Sequence, residues 1–459
     1  MNRREFVTGT ATIVAGGAVL PPVMRRLRGA GQGAPGPADV KLEIAPLKLE
    51  IGAKKVIDTV AYNGEVPGPL IRWPEGKPIA IDVTNHSKLA EIVHWHGQWI
   101  PSVEDGAMEE GSPMIAPGAT QRYSFEPRPA GFRWYHTHSS AGHHLDRGLY
   151  TGQFGCFYVE PRENQGAFDQ EIFLTLHDWN AYMGGGGDAS MDALYDYATI
   201  NGKMLGHGEP LRVREGQRVL LHVLNASATL MHWLALAGHE MTVVAMDGNP
   251  VPQPGKLQAV RLAPAERVDL LVEMKNPGVW VLGETRKDLR DAGMGIVVEY
   301  AGQTGEARRA VPEWIEPAEA EWDYRQFANS AATTSAPDEV IPLLFESKFE
   351  GHGEFDYWTI NGKSYPKTDT ITLVEGKRYR LAMTNKSMDD HPIHLHRHTF
   401  EVTSLEGRSL SGLQKDVVVV KAGTMAAVDF TARNPGLTLF HCHQQTHMDF
   451  GFMMLFRYA

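Results

Sequence analysis

Cysteine is nearly absent: the chain has two, Cys156 and Cys442, in 459 residues. No disulfide framework can hold so long a chain on two thiols. None is needed, since the length allows about three ordinary domains of ~150 residues, each with its own core. Excess positive charge is also missing. Lys and Arg number 44 against 55 Asp and Glu, a net charge of −11. That argues against a nucleic-acid partner, which selects for a basic face. Beyond the N-terminal segment, no stretch approaches the ~20 continuous apolar residues of a membrane span. The hydrophobic share of 42% and charged share of 22% are those of an ordinary globular protein.

The N-terminus reads as an address. Asn2-Arg3-Arg4-Glu5-Phe6-Val7 resembles a twin-arginine export signal. An apolar stretch over residues 7–20 follows, too short to span comfortably, and then Pro21-Pro22. Residues 1–37 are therefore expected to be a signal segment and tail, removed on the way to a periplasmic or exported destination. A general secretory signal and an uncleaved anchor are the alternatives for the same residues.

Histidine is what the chain has in unusual arrangement. It forms His-x-His pairs at His94/His96, His136/His138 and His394/His396, and the run His441-Cys442-His443 followed by His447. One thiolate among imidazoles is a set of soft and borderline ligands, which suits copper better than calcium or magnesium. Cys156 lies in the apolar run Gly155-Cys156-Phe157-Tyr158-Val159 and is expected to be a small buried hydrophobe. Pairing it with Cys442 would destroy the ligand set, so no disulfide is expected.

Between these motifs the chain repeats itself. An Asn-Gly turn, a strand, a Glu-Gly turn and an alternating strand ending in Asn recur three times. The first runs from Asn63-Gly64 through Glu75-Gly76 to Asn85. The second runs from Asn201-Gly202 through Glu215-Gly216 to Asn225, and the third from Asn361-Gly362 through Glu375-Gly376 to Asn385. Alternation such as Ile79-Ala80-Ile81-Asp82-Val83 reads as half-buried strand. Repeats this long are duplicated domains, and short strands between Gly/Pro turns predict Greek-key β-sandwiches. The spacing predicts domains over residues 38–162, 168–303 and 340–459, with a linker over 304–339 that holds a short helix near 317–327. After the shared Asn, the first repeat continues to His94 and His96, and the third to His391, His394 and His396. The second reaches only His232, so the middle domain is expected to be a spacer without copper ligands.

These motifs in this order resemble the four copper motifs of three-domain multicopper oxidases, the laccase-like group. The likeness rests on His94-Trp95-His96-Gly97, Trp134-Tyr135-His136-Thr137-His138, His391-Pro392-Ile393-His394-Leu395-His396, and His441-Cys442-His443 with His447, preceded by Asn434-Pro435-Gly436. It implies an all-β fold of three cupredoxin-like domains and four copper ions. His391, Cys442 and His447 would hold a type 1 blue copper. His94 and His394 would hold a type 2 copper. His96, His136, His138, His396, His441 and His443 would hold a type 3 pair. Neighbours on a strand face opposite ways, so Cys442 can face one site while His441 and His443 face the other.

Family spacing puts the axial position of the blue copper at Phe452, which cannot ligate; Met453, one residue on, is the alternative. Asp105 stands where the family has an acidic residue near the cluster, and a carboxylate there can relay protons. Bacterial relatives with Glu directly after the last blue-copper histidine differ from this chain, which has Met448. His143 and His144 are expected in a solvent-exposed loop, and His398 on a strand surface. The implied activity takes single electrons from phenols or aromatic amines and reduces O2 to water. A metallo-oxidase acting on Cu(I) or Fe(II) is the alternative, although no Met-rich insertion is present. A non-catalytic envelope protein on the same fold is a further one, although this chain keeps Cys442 and every motif histidine.

Overall fold

A computed structural model describes residues 36–163, 166, 168–184, 193–303, 311, 323–329, 335–348 and 357–459. The export motif and the first part of the expected linker helix lie outside these residues. The chain from Ala38 to Ala459 is one compact unit. Strands dominate it, and no described helix is long and apolar enough to cross a membrane.

The strands form six sheets in three groups, and no described strand pairs outside its own group. Each group has the same plan. In the first, Val40–Gly52 pairs antiparallel with Lys55–Tyr62 and parallel with Ile79–Asn85. Gln170–Met183 does the same with Ala193–Ile200 and Arg218–Asn225. Glu339–Lys348 repeats it with Tyr357–Ile360 and Arg378–Asn385.

The repeated asparagines explain the plan. Asn63, Asn201 and Asn361 have φ of 53°, 51° and 52°, and a glycine in the left-handed region follows each. Two successive positive φ values make the tight turn that Asn-Gly favours. Each Asn side chain also clamps the first strand of its group: its carbonyl accepts from the main-chain NH of Glu43, Thr175 or Leu344 at 2.6, 2.8 and 2.8 Å. Asn85, Asn225 and Asn385 end the strand that runs parallel to the first in each group. Each accepts from the NH two residues on, at 2.8–2.9 Å. Each also donates to a main-chain carbonyl further along the chain, that of Ile115, Leu262 or Val420.

In the middle group His232 ties one sheet to the other. It lies on His232–Leu236, with Nε2 2.9 Å from Asp178 on Gln170–Met183 and Nδ1 3.1 Å from Glu284 on Val279–Glu284. All three are fully buried. Burial alone would keep the ring neutral, but the two carboxylates raise its pKa to about 9. His232 is thus an imidazolium pin between two anions on opposite edges of its ring, an arrangement unlike the convergent lone pairs of a metal site.

Removing one partner of a buried charged set costs about 3–5 kcal/mol. His232→Gln should lower the unfolding free energy by roughly that much at pH 6. A folded-state pKa above the unfolded 6.5 means the contribution is complete below pH 6.5 and is lost as pH rises through about 9. Chemical denaturation should therefore separate parent from variant widely at pH 6 and little at pH 9.5; a gap independent of pH would refute the charged pin.

Candidate metal centre

Cross-strand register begins the site. His94 pairs with His136 across Val93–His94 and Gly131–Thr137. His394 pairs with His441, and Ile393 with Cys442, across His391–Leu395 and Leu437–Cys442. The first and third sandwiches then press these strands together. His94 stacks on His396 with centroids 4.0 Å apart, and His96 on His394 at 3.8 Å. His136, His138, His441 and His443 complete a cage of eight rings, all buried.

Six of the eight rings are held by the nitrogen that faces away from the cage. Nδ1 of His94 donates to the carbonyl of Asp105 at 2.8 Å, and Nδ1 of His136 to that of Thr137 at 2.8 Å. Nδ1 of His394 donates to the carbonyl of Asp416 at 2.7 Å, and Nδ1 of His441 to that of Cys442 at 2.8 Å. His396 turns Nδ1 to the Asp105 carboxylate, 2.8 Å away. His96 reverses the pattern, with Nε2 3.1 Å from Asp416. The nitrogens left over have no partner: Nε2 of His94, His136, His138 and His394, Nδ1 of His96, and both of His443. A buried polar atom without a partner is costly. Here candidate ligand atoms converge in sets of three within 4.8 Å: His96, His136 and His443; His138 with His396 and His441, whose Nε2 atoms lie 3.0 Å apart; and His94 with His394 and His96. Cations among them would take up one orphan nitrogen on each ring that carries one, so the residues fit a group of metal ions.

A second site lies one residue away along the same strand. Sγ of Cys442 is 3.6 Å from Nδ1 of His391 and 3.4 Å from Nδ1 of His447, and the two nitrogens are 3.0 Å apart. Strand alternation turns Cys442 this way and its neighbours His441 and His443 to the cage, as expected from sequence. The Phe452 ring packs on His391 at 4.7 Å and on Phe345 at 4.8 Å. Met453 points elsewhere, among Ala107, Leu439 and Met448.

Burial sets the protonation. It drives the pKa of His96, His136, His394, His396, His441, His443 and His447 well below 6.5, and those of His138 and His391 to about 3. Neutral imidazole is the form that ligates. The Cys442 thiol is raised by burial, so only a bound cation would bring out its thiolate.

Other expectations fare variously. Cys156 is free and buried, its thiol pushed up to about 12 by burial. His143 and His144 are exposed. His398 is not on a strand surface. It is buried, with Nδ1 3.0 Å from the His396 carbonyl and Nε2 2.8 Å from the Tyr458 hydroxyl. The strand ends at Leu395 and Arg397 has φ of 59°, so alternation no longer says which way His398 points. Asp416 and Glu110 escaped the sequence reading. Glu110 is fully buried beside Asp105, with a carboxylate oxygen 3.4 Å from Nδ1 of His396; burial first, and Asp105 second, raise its pKa well above the usual range. The available signal was a charged pair, Lys415-Asp416, directly before the apolar run Val417–Val420.

Rings neutral in the fold and titrating near 6.5 when unfolded make the unfolded chain bind more protons at low pH. The metal-free chain should then lose stability steadily as pH falls below about 6.5 toward the folded values near 3. Its thermal midpoint measured from pH 7 to pH 4 checks this; a flat profile would mean that the rings are not buried neutral.

Three family models, each described as multicopper oxidase, match residues 44–164, 171–298 and 341–459. The multicopper oxidase MmcO of Mycobacterium tuberculosis is 29% identical over 88% of this chain and 83% of its own length. Laccase-3 of Oryza sativa subsp. japonica is 24% identical over 88% of this chain and 89% of its own length. The solved structure of Fet3p, a multicopper oxidase that functions in iron import, superposes with a TM-score of 0.79 at 19% identity, covering 92% of this chain and 90% of that one. The order of the motifs, the three cupredoxin-like sandwiches and these likenesses agree: the chain belongs to the multicopper oxidases, copper-dependent oxidoreductases that use O2 as acceptor.

Proposed function

We propose that the chain is a laccase-like oxidase of phenols or aromatic amines. In this reading His391, Cys442 and His447 hold a type 1 copper. His94 and His394 hold a type 2 copper. Two trios, His96/His136/His443 and His138/His396/His441, hold the type 3 pair, making four copper ions in all. The domains run over 38–162, 168–303 and 340–459, joined by 304–339, and residues 1–37 direct export by the twin-arginine route. Bound copper supplies one-electron storage at the first site and reduction of O2 to water at the second.

The protein's own work is connection, orientation and proton supply. Cys442 lies between His441 and His443 in sequence, so covalent bonds join the electron-accepting site to the cage. Main-chain carbonyls fix the tautomers of His94, His136, His394 and His441, which leaves Nε2 of each as a lone pair. Burial keeps solvent out of the cage. Asp105 has Oδ2 on His396 and an unpartnered Oδ1, so it can carry a proton at Oδ1 to the cage.

The single observation that favours organic donors over metal ions is Phe452. Its ring sits against His391, where a thioether would otherwise approach. Without an axial sulfur, Cu(II) is less stabilised and the potential rises, which suits donors that are hard to oxidise. Steady-state turnover of a phenol, Cu(I) and Fe(II) on copper-loaded protein tests the reading. The phenol should have the highest kcat/KM; preference for either metal ion would replace the proposal with the metallo-oxidase reading.

The axial assignment has its own test. Phe452→Met should lower the blue-copper potential, since a thioether stabilises Cu(II). A fall of ~59 mV is a tenfold change in a one-electron equilibrium and is resolved by redox titration at the blue band. Met453→Leu should leave the potential unchanged. The reverse pair of results would make Met453 the axial ligand.

A further inference from the structure

Among the described residues, the middle sandwich contributes none to the clustered ligand atoms, yet its charges reach the cage through Asp416. Arg267, on Arg267–Glu273, grips the Asp416 carboxylate with both ends of its guanidinium, at 2.6 Å to each oxygen. Asp247 accepts the main-chain NH groups of Asp416 and Val417 at 3.2 and 3.0 Å. Both residues of the middle sandwich are buried, as is Arg133 of the first, 3.4 Å from the same carboxylate. Two-point Arg–carboxylate contact fixes orientation as well as distance.

Asp416 passes that orientation on twice. Its Oδ1 accepts from Nε2 of His96, and its main-chain carbonyl accepts from Nδ1 of His394. Those two rings stack on each other at 3.8 Å, one from each outer sandwich. The carbonyls that hold His94, His136 and His441 come from chain near each ring, at Asp105, Thr137 and Cys442. His96 instead depends on a side chain 320 residues away. That contact turns its Nε2 outward and leaves Nδ1 unpartnered in the cage. Gly97 marks the tolerance of the arrangement. It has φ of 80°, and a Cβ there would lie 2.5 Å from Oδ2 of Asp416 and 2.9 Å from Nη2 of Arg267.

We infer that Asp416, held by Arg267 and Asp247 of the middle sandwich, is the positioning residue that sets the tautomer of His96 and the orientation of the stacked His96–His394 pair. The middle domain is then part of the cluster's scaffold. The inference rests on the reading of His96 and His394 as copper ligands.

The test uses the full chain loaded with copper. Arg267→Lys keeps the charge and loses the fork; Asp416→Asn keeps the shape and loses the second anionic oxygen. Each should weaken copper retention in the cage by about 10–100-fold, the usual range for a partner behind a ligand. Each should also change the electron paramagnetic resonance splitting of the type 2 copper, and leave the blue band and its potential as in the parent. If a single variant does not fold, the charge-neutral double variant Arg267→Gln/Asp416→Asn carries the same readouts. A merely structural role would lower the melting temperature with copper retention and splitting unchanged, and that result overturns the inference. His394→Ala is the control. Loss of cage copper there, with parent-like retention in Arg267→Lys and Asp416→Asn, refutes only the positioning role. A full copper complement in His394→Ala refutes the ligand reading itself.

Discussion

Two imidazole stacks, His94 on His396 and His96 on His394, join the N-terminal and C-terminal thirds of this protein. Neither sandwich has a complete set of lone pairs alone. Each contributes an incomplete arc of buried rings, and contact between them closes the cage. The constraint is severe because every ring is taken out of water, where the charged form is disfavoured and each free nitrogen needs a partner. Carbonyls behind four rings and carboxylates behind two more meet part of that demand, and metal ions would take up the lone pairs turned into the cage.

The same contact explains the charges buried beside the cage. Arg133, Arg267 and Lys415 lie against Asp247, Asp416 and Glu266, all of them buried. Their charges balance, and they come from all three sandwiches. A buried ion pair adds little net stability over an apolar contact, but its geometry is exacting and a misplaced partner is costly. Such a set penalises any docking of the sandwiches except one. Specific docking is what a cage assembled from two separate domains requires.

Much of the fold was legible in the sequence because its causes are local. The Asn-Gly turns, the closing asparagines and the alternating strands act over a few residues, and their threefold recurrence exposed the duplication. The His-x-His pairs were legible for the same reason, since strand alternation assigns Cys442 to one face and its neighbours to the other. His398 shows the limit: one left-handed residue at Arg397 ended the alternation on which its placement relied.

What the sequence by itself determined was the inventory of ligands, the repeat and the faces of the strands, because backbone geometry converts short spacings into directions. Tertiary structure alone decided which nitrogen of each ring is free, that Phe452 and not Met453 packs against His391, and that Asp416 reaches His96. These depend on pairs separated by up to 320 residues. No local periodicity encodes such pairs. They follow only when whole sandwiches dock and each buried polar atom must find a partner.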